Sequence, residues 1–352
     1  MNNTTDYLTI LDNRVKDIYS VTSSAIENEY SKYSNTIIDK QRLHTLTGIT
    51  GLSMGEIIAD GEVPVSDAPL QGFTKTYTQQ IFNKRIRMSK AAMYYLFENG
   101  QDAKIKAEVQ KEVTGVKNSL MNLKNYLAQA MLFNGTLTSF PFLPIGGSKI
   151  TNTDTTGVDG VAAWSLAHPR EDGGPAWSNI IVSGTNNPTC SFTAILAARG
   201  QHANKKDGRG LPLMGSTLDK VICQESSQTH FLLTTIKKTL ESGKYPSVAL
   251  VTGNLSLVAP TSLVDSAPTS AFEIIPLTTY GAQGITSLTW AMFDSKMLDS
   301  SHGLQYIESM SDVLETANDV LGGKDYIKDI TCYCTMGFAD MRGWQFSNGT
   351  NS

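Results

Sequence analysis

Few residues of this 352-residue chain stand at spacings that do chemistry. Gly51-Leu52-Ser53-Met54-Gly55 fits G-x-S-x-G, the elbow that exposes a nucleophilic serine between a strand and a helix. Gly61 and Pro64 follow closely and prevent the helix that an elbow requires, so Ser53 reads as part of a glycine-rich loop. A hydrolase acting through Ser53 remains a rival reading that substitution by alanine would decide. His44, His168, His202, His230 and His302 fall in neither H-E-x-x-H nor H-x-H spacing. Ser242-Gly243-Lys244 lacks the upstream glycine and the following hydroxyl of a phosphate loop, and no G-x-G-x-x-G occurs. The expectation is no catalytic residue, no cofactor and no metal site. Cys190, Cys223, Cys332 and Cys334 form no C-x-x-C pair, and Cys332 and Cys334 in a strand would share one face as reduced, buried thiols.

Composition narrows the class further. Hydrophobic residues make up 40% and charged residues 18%, a globular balance whose low charge fits a chain that hides surface against neighbours. Net charge is −4, from 29 basic and 33 acidic residues, and no basic run marks a nucleic-acid site. The N-terminus lacks the basic-then-apolar layout of a signal peptide, and no stretch reaches the length of an apolar membrane span, so the chain reads as cytosolic. Pairs such as Glu171-Asp172 and Lys328-Asp329 read as solvated faces. Trp164, Trp177, Trp290 and Trp344 read as core or interface anchors, and Arg342-Gly343-Trp344 as an interface anchor.

The elements that would position such residues are dominated by the proline-free run from Asp102 to Phe133. Ile105, Val109, Val113, Val116, Leu120, Leu123, Leu127 and Met131 recur every third or fourth residue and share one helical stripe. At 1.5 Å per residue the helix would be roughly 48 Å long. Lys104, Lys106, Glu108, Lys111, Glu112, Lys117 and Lys124 occupy its other faces, and Asn134-Gly135 reads as a left-handed terminator. Gly115, in mid-helix, costs about 1 kcal/mol relative to alanine.

Before it, Leu8, Leu11, Val15 and Ile18 suggest an N-terminal helix stabilised by whatever it lies on. Residues 48–72 are rich in glycine and β-branched residues and predict an extended excursion, such as a two-stranded ribbon. Phe73–Met88 alternates as one strand with Phe73, Lys75, Tyr77, Gln79 and Ile81 on one face, and Ser89 could cap a short helix through Phe97. Residues 136–190 are loop-rich; helices are expected over Ser191–Asn204 and Thr229–Ser242, the second with Phe231, Leu232, Ile236 and Leu240 on its buried face. Strands are expected over Leu218–Cys223, Ala271–Pro276, Ser287–Phe293 and Ile327–Met336. The class is α+β, with helices and strands segregated.

The order of parts resembles the major capsid protein of tailed bacteriophages, the Hong Kong 97 fold. An arm, an extended loop, the strand GFTKTYTQQIFNKRIRMSK, a long helix ending in AQAMLFNG and a β-rich second half follow one another as in that family. Asp159-Gly160, His168-Pro169, the helix 191–204 and the turn Asp207–Leu213 are similar to the major head subunit of Mu-type phages, as is the ending GFADMRGWQFSNGT. The resemblance covers most of the chain from about residue 45 onward.

It implies an N-terminal arm at 1–46, an extended loop at 47–86 and a peripheral domain at 87–214 with a spine helix at 101–134. An axial domain at 215–308 and a return to the peripheral domain at 309–352 complete it. It further implies self-assembly into hexamers and pentamers of an icosahedral head around double-stranded DNA that is not specifically bound. Scaffolding, portal and decoration proteins are the further partners, and a virion assembled in the host cytoplasm is the location. Glu56, Ile57, Ile58, Val63, Val65, Phe73 and Tyr77 are the expected contacts between subunits. An encapsulin-type shell around enzyme cargo is the alternative within the fold.

Overall fold

The apolar spacing between Asp102 and Phe133 becomes one continuous helix of 32 residues. The computed structural model describes residues 3–49, 63, 67–69, 71–89, 95, 100, 102–147, 151–213, 215–241, 272–278, 286–316 and 325–350. In chain order its elements are α1 (Asn3–Val21), β1 (Ser34–Ile38), β2 (Leu43–Ile49), β3 (Gln71–Thr78), β4 (Gln80–Ser89), α2 (Asp102–Phe133), β5 (Ser139–Phe142) and β6 (Thr151–Asp154). They continue with β7 (Val182–Ser183), β8 (Thr185–Asn186), α3 (Phe192–Ala203), β9 (Lys220–Gln224), α4 (Gln228–Glu241), β10 (Glu273–Leu277), β11 (Trp290–Phe293), β12 (Leu304–Thr316), β13 (Asp325–Phe338) and β14 (Trp344–Ser347).

Two four-stranded sheets flank α2, in the orders β1-β12-β13-β4 and β10-β9-β11-β14. In the first, β1 pairs in parallel with β12, which joins the two ends of the chain, and β13 pairs antiparallel with both β12 and β4. The N-terminal half of the α2 stripe, from Ile105 to Leu120, packs with Ile86, Met88, Tyr326 and Ile330 of that sheet and with Leu11 and Val15 of α1. The C-terminal half, Tyr126 to Phe133, meets Cys332, Met336 and Phe338 of the first sheet and Ile275, Ala291 and Phe293 of the second. The far face of the second sheet, Val221, Cys223, Trp290 and Met292, is covered by α3 and by Leu233 of α4. With both faces covered, every residue of β11 is buried and apolar, as expected of a two-sided strand.

Several sequence expectations need correction. The strand expected over Phe73–Met88 is two strands that part at Gln79, whose N–H donates to Arg42 O at 3.0 Å. The buried parity changes there, so Tyr77 is buried while Ile81 is 62% exposed. Gly135 does not adopt a left-handed conformation; it leaves room for Trp164, since a Cβ would lie 2.7 Å from its Nε1. Phe231 of α4 is exposed and Leu233 buried, because Thr229, Leu233 and Ile236 form the inward line. The short helix expected after Ser89 lies outside the described residues apart from Tyr95, and residues 50–62 also lie outside them. All four cysteines are free and buried.

The polar faces are less solvated than their composition implies. Lys124 is buried, with its ammonium 3.3 Å from Glu308 and 3.1 Å from Asp312. Burial alone would lower its pKa; the groups around it, including those carboxylates, more than offset this and raise it. Beside this cluster β12 shifts register twice, between Glu308 and Met310 and between Met310 and Val313. The first bulge turns Met310 outward from the face that holds Glu308, and the second restores the phase. Lys328, read as solvated, is buried against Asp12 of α1 at 2.5 Å, and Asp329 binds Arg85 through two bonds of 2.7 and 2.8 Å.

Asp12 ties α1 to the first sheet through Lys328 and the Tyr326 hydroxyl at 3.1 Å, and pairs within α1 with Lys16 at 2.6 Å. Burial alone would raise its pKa, but these bonds outweigh it and hold the carboxyl below the usual range. A depressed folded pKa gives stability that is present above the unfolded value of about 3.9 and is lost as pH falls through the folded value. Below about pH 4, hydrogen exchange in residues 3–21 is therefore expected to accelerate before exchange in α2. Asp12→Asn should show fast exchange already at pH 7 and lose that acid step.

Candidate functional site

The segment from β2 to β3 is a two-stranded antiparallel ribbon, with Leu43 opposite Thr78, Thr45 opposite Thr76 and Thr47 opposite Thr74. Its inner side is apolar at the root. Leu46 and Tyr77 pack on Ile307 and Ala339, with Ile37 and Val158 beside them. The Tyr77 hydroxyl donates to Phe338 O at 2.5 Å, and burial pushes its pKa up. Its ring lies flat against the backbone of Gly337, where any Cβ would overlap the ring, so the glycine is required by close approach. Lys75 donates to Thr156 O and Oγ1, each at 2.6 Å, and pairs with Asp154 at 3.0 Å. Burial lowers the Lys75 pKa, and Asp154 only partly offsets this. The outer side is a ladder of threonines, Thr45 and Thr76 at 3.0 Å and Thr47 and Thr74 at 3.2 Å, exposed except for the half-buried Thr47.

Behind the root lies a buried knot of charge. His168 Nδ1 and Asp159 Oδ2 are 2.6 Å apart, and the imidazole stacks on Trp177 with ring centroids 4.2 Å apart. The backbones of His168 and Trp177 exchange hydrogen bonds of 2.7 and 3.0 Å. Lys205 donates to Arg342 O at 2.9 Å and Trp344 O at 2.7 Å, and its ammonium lies 4.9 Å from the Trp177 centroid. Burial holds the Lys205 pKa well below the usual lysine value, with Asp340 opposing the shift and Arg342 adding to it. Arg342 pairs with Glu171 and, at 3.0 Å, with Asp340. Asp207 closes its own turn, accepting from Arg209 N at 2.9 Å and Leu211 N at 2.8 Å. Asp159-Gly160, His168-Pro169, the turn 207–213 and the Asp340-x-Arg342 ending thus meet in one place. The charged groups are engaged with one another, so the knot fastens loops together. Arg342-Gly343-Trp344, read as an interface anchor, is part of the core, and Glu171 is a buried ion-pair partner where a solvated face was expected.

Next to the ribbon root the outer face of the first sheet carries exposed apolar side chains. Met310 pairs with Tyr333, which pairs with Ile81, so these three side chains form a row across β12, β13 and β4. Met310 is 42% and Ile81 62% exposed. Beyond the row come Asn83, donating to Thr331 at 3.0 Å, and the Arg85–Asp329 pair. Among the described residues no strand pairs with the outer edge of β4.

Of the expected subunit contacts, Glu56, Ile57, Ile58 and Val65 lie outside the described residues, as does Ser53. Val63 is 83% exposed. Phe73 is half-buried and lines a small cavity with His168, Glu171 and Arg342. Tyr77 is buried within its own chain. The row of Met310, Tyr333 and Ile81 was not visible in the sequence, because it depends on cross-strand register and on a bulge. Glu308, Asp312 and Cys332 approach one another as metal ligands could, but the Lys124 ammonium already engages both carboxylates. Among the described residues no helix is long and apolar enough to cross a membrane.

Taken together, the described residues form a two-stranded ribbon and a sheet with exposed apolar side chains, braced on one long helix. Comparison with known proteins gives no match to a family model. It gives no match among curated proteins either. Among solved structures the chain is similar to the capsid of Ralstonia phage GP4, at 12% identity and a TM-score of 0.47 over 88% of this chain and 84% of that one. It is similar to the capsid of the cyanophage P-SCSP1u, at 11% identity and a TM-score of 0.45 over 95% and 90% of the two chains. A third likeness is to a virus-like particle from Pyrococcus furiosus, at 8% identity and a TM-score of 0.40 over 95% and 96%.

The ribbon root yields a paired test. Gly337→Ala should destabilise the chain by about 1–3 kcal/mol, because Tyr77 must leave its seat. Gly115→Ala, at an exposed helix position with nothing within 4 Å of the added Cβ, should stabilise it by about 0.5–1 kcal/mol. Urea unfolding of the purified chain checks both signs.

Proposed function

We propose that this chain is the major capsid subunit of a tailed bacteriophage, building hexamers and pentamers of an icosahedral head around double-stranded DNA. The observation that carries the reading is the ribbon. Its root is bolted to the body by Tyr77, Lys75 and Leu46, while its outer threonine ladder and the adjoining row of Met310, Tyr333 and Ile81 face outward. A lone two-stranded ribbon is marginally stable in water, so a further layer from a neighbouring copy would complete it. The order of sequence motifs supports the same reading, and four of those motifs meet in the charged knot behind the root. In this reading residues 87–214 form the peripheral domain around the spine helix, 215–308 the axial domain and 309–352 the return strands. The extended loop carries the subunit contacts at Glu56, Ile57, Ile58, Val63, Val65 and Phe73, while Tyr77 orients its base.

The net charge of −4 suits a container that holds DNA without gripping it by charge. The virion is the location, assembled in the host cytoplasm. Scaffolding, portal and decoration proteins would be its further partners.

Deleting residues 51–66 spares both ribbon strands. The variant should fold with the circular dichroism of the parent yet elute as a small species, whereas the parent assembles. Assembly of the deleted protein to the parent's size would overturn the role given to the loop. Nucleic acid copurifying with parent particles supports the phage head; a protein cargo without nucleic acid would favour the enzyme-compartment alternative.

A further inference from the structure

The face of α2 turned away from its apolar stripe holds the chain's own N-terminal segment. Lys117 donates to Tyr19 O at 2.7 Å and Thr22 O at 2.5 Å. Asn118 Oδ1 accepts from Ala25 N at 2.8 Å and from the Ser24 hydroxyl at 3.0 Å. Asn125 Oδ1 accepts from Glu29 N at 3.1 Å and Tyr30 N at 3.3 Å, and its Nδ2 donates to Glu27 O at 2.9 Å. Asn118, Asn125 and Gln129 lie along one line of the helix, at separations of two turns and then one. The segment after Val21 and before Tyr30 forms no helix or strand, so these side chains satisfy backbone groups that regular structure would otherwise pair.

The last of these clamps reaches a third element. Gln129 Nε2 donates to Glu29 Oε2 at 3.2 Å and to Thr278 O at 3.1 Å. Glu29 also accepts from Thr278 N at 3.2 Å and from the Thr278 hydroxyl. Its carboxylate is buried, and the donors that reach it here are an amide, a backbone N–H and a hydroxyl. Thr278 directly follows β10, the edge strand of the second sheet, whose partner in the ladder is β9. One carboxylate on the arm thus joins the helix to the edge of a sheet on its far side.

We propose that Glu29 is a strap: seating the N-terminal segment on α2 fixes β10, and lifting that segment frees it. A buried acceptor that is removed leaves its donors unpaired, so the effect falls on Thr278 and Gln129 together. Coupling between two places is reciprocal, so a change at Thr278 must also loosen the arm. This strap goes beyond the shell reading and does not depend on it.

Hydrogen exchange on the full chain tests the strap. Glu29→Ala should speed exchange over residues 272–278 at least tenfold and leave residues 344–347 unchanged. Glu29→Gln keeps one acceptor oxygen and should fall between the two. Thr278→Val keeps the backbone N–H and removes the hydroxyl, and should speed exchange over residues 25–30. Unchanged exchange in 272–278 for a folded Glu29→Ala protein overturns the proposal. If that variant does not fold, unchanged exchange in 25–30 for Thr278→Val overturns it equally.

Discussion

The side chains from Ile105 to Met131 leave water only because three separate parts of the chain converge on α2. The first sheet runs along the whole stripe, joined by the N-terminal helix over its first half and by the second sheet over its last. Most helical stability in a protein comes from packing an apolar face, and this is the face that α2 buries. Each fully buried valine or leucine contributes about 1.5–3 kcal/mol on leaving water. The cost of removing one rises to about 2–5 kcal/mol when a cavity is left. The same helix also positions the arm through its polar side, so the arm and both sheets take their places from this one beam.

Charge is used at the joints. Lys124 with Glu308 and Asp312, Lys328 with Asp12, and Arg342 with Glu171 each connect segments far apart in the chain. Buried pairs add little net stability over an apolar replacement, but removing one partner leaves an uncompensated charge and costs about 3–5 kcal/mol. Such joints penalise wrong docking more than they reward right docking. In the proposed reading, that suits a chain whose outward surfaces must all be presented in one relative arrangement. The knot around Trp177 applies this logic to loops, where helices and strands supply no register.

The long helix was legible because its spacing is strict: seven of the eight stripe residues are buried and Leu123 is half-buried. The helix over 192–203 was legible because Ser191 caps it, accepting from Ala194 N at 3.1 Å. What the sequence hid was tertiary. Gln79 ends one strand and begins another, and no local signal marks the exchange of partners from β2 to β13. Lys124, Lys328 and Glu171 look like surface charges until the segments that bury them are in place. Gly135 reads as a helix terminator, yet Trp164, brought in by a later loop, is what requires it.

In the proposed reading, the ribbon, the exposed apolar row beside it and the bracing helix present surfaces that another copy of the chain completes. Cryo-electron microscopy of the purified full-length chain, concentrated without any other protein, tests this most directly. The account predicts closed or partial shells with local sixfold and fivefold rings, in which the threonine face of the ribbon and the Met310–Tyr333–Ile81 row are covered. Monomers at every concentration, or assemblies that leave both surfaces exposed, would contradict it.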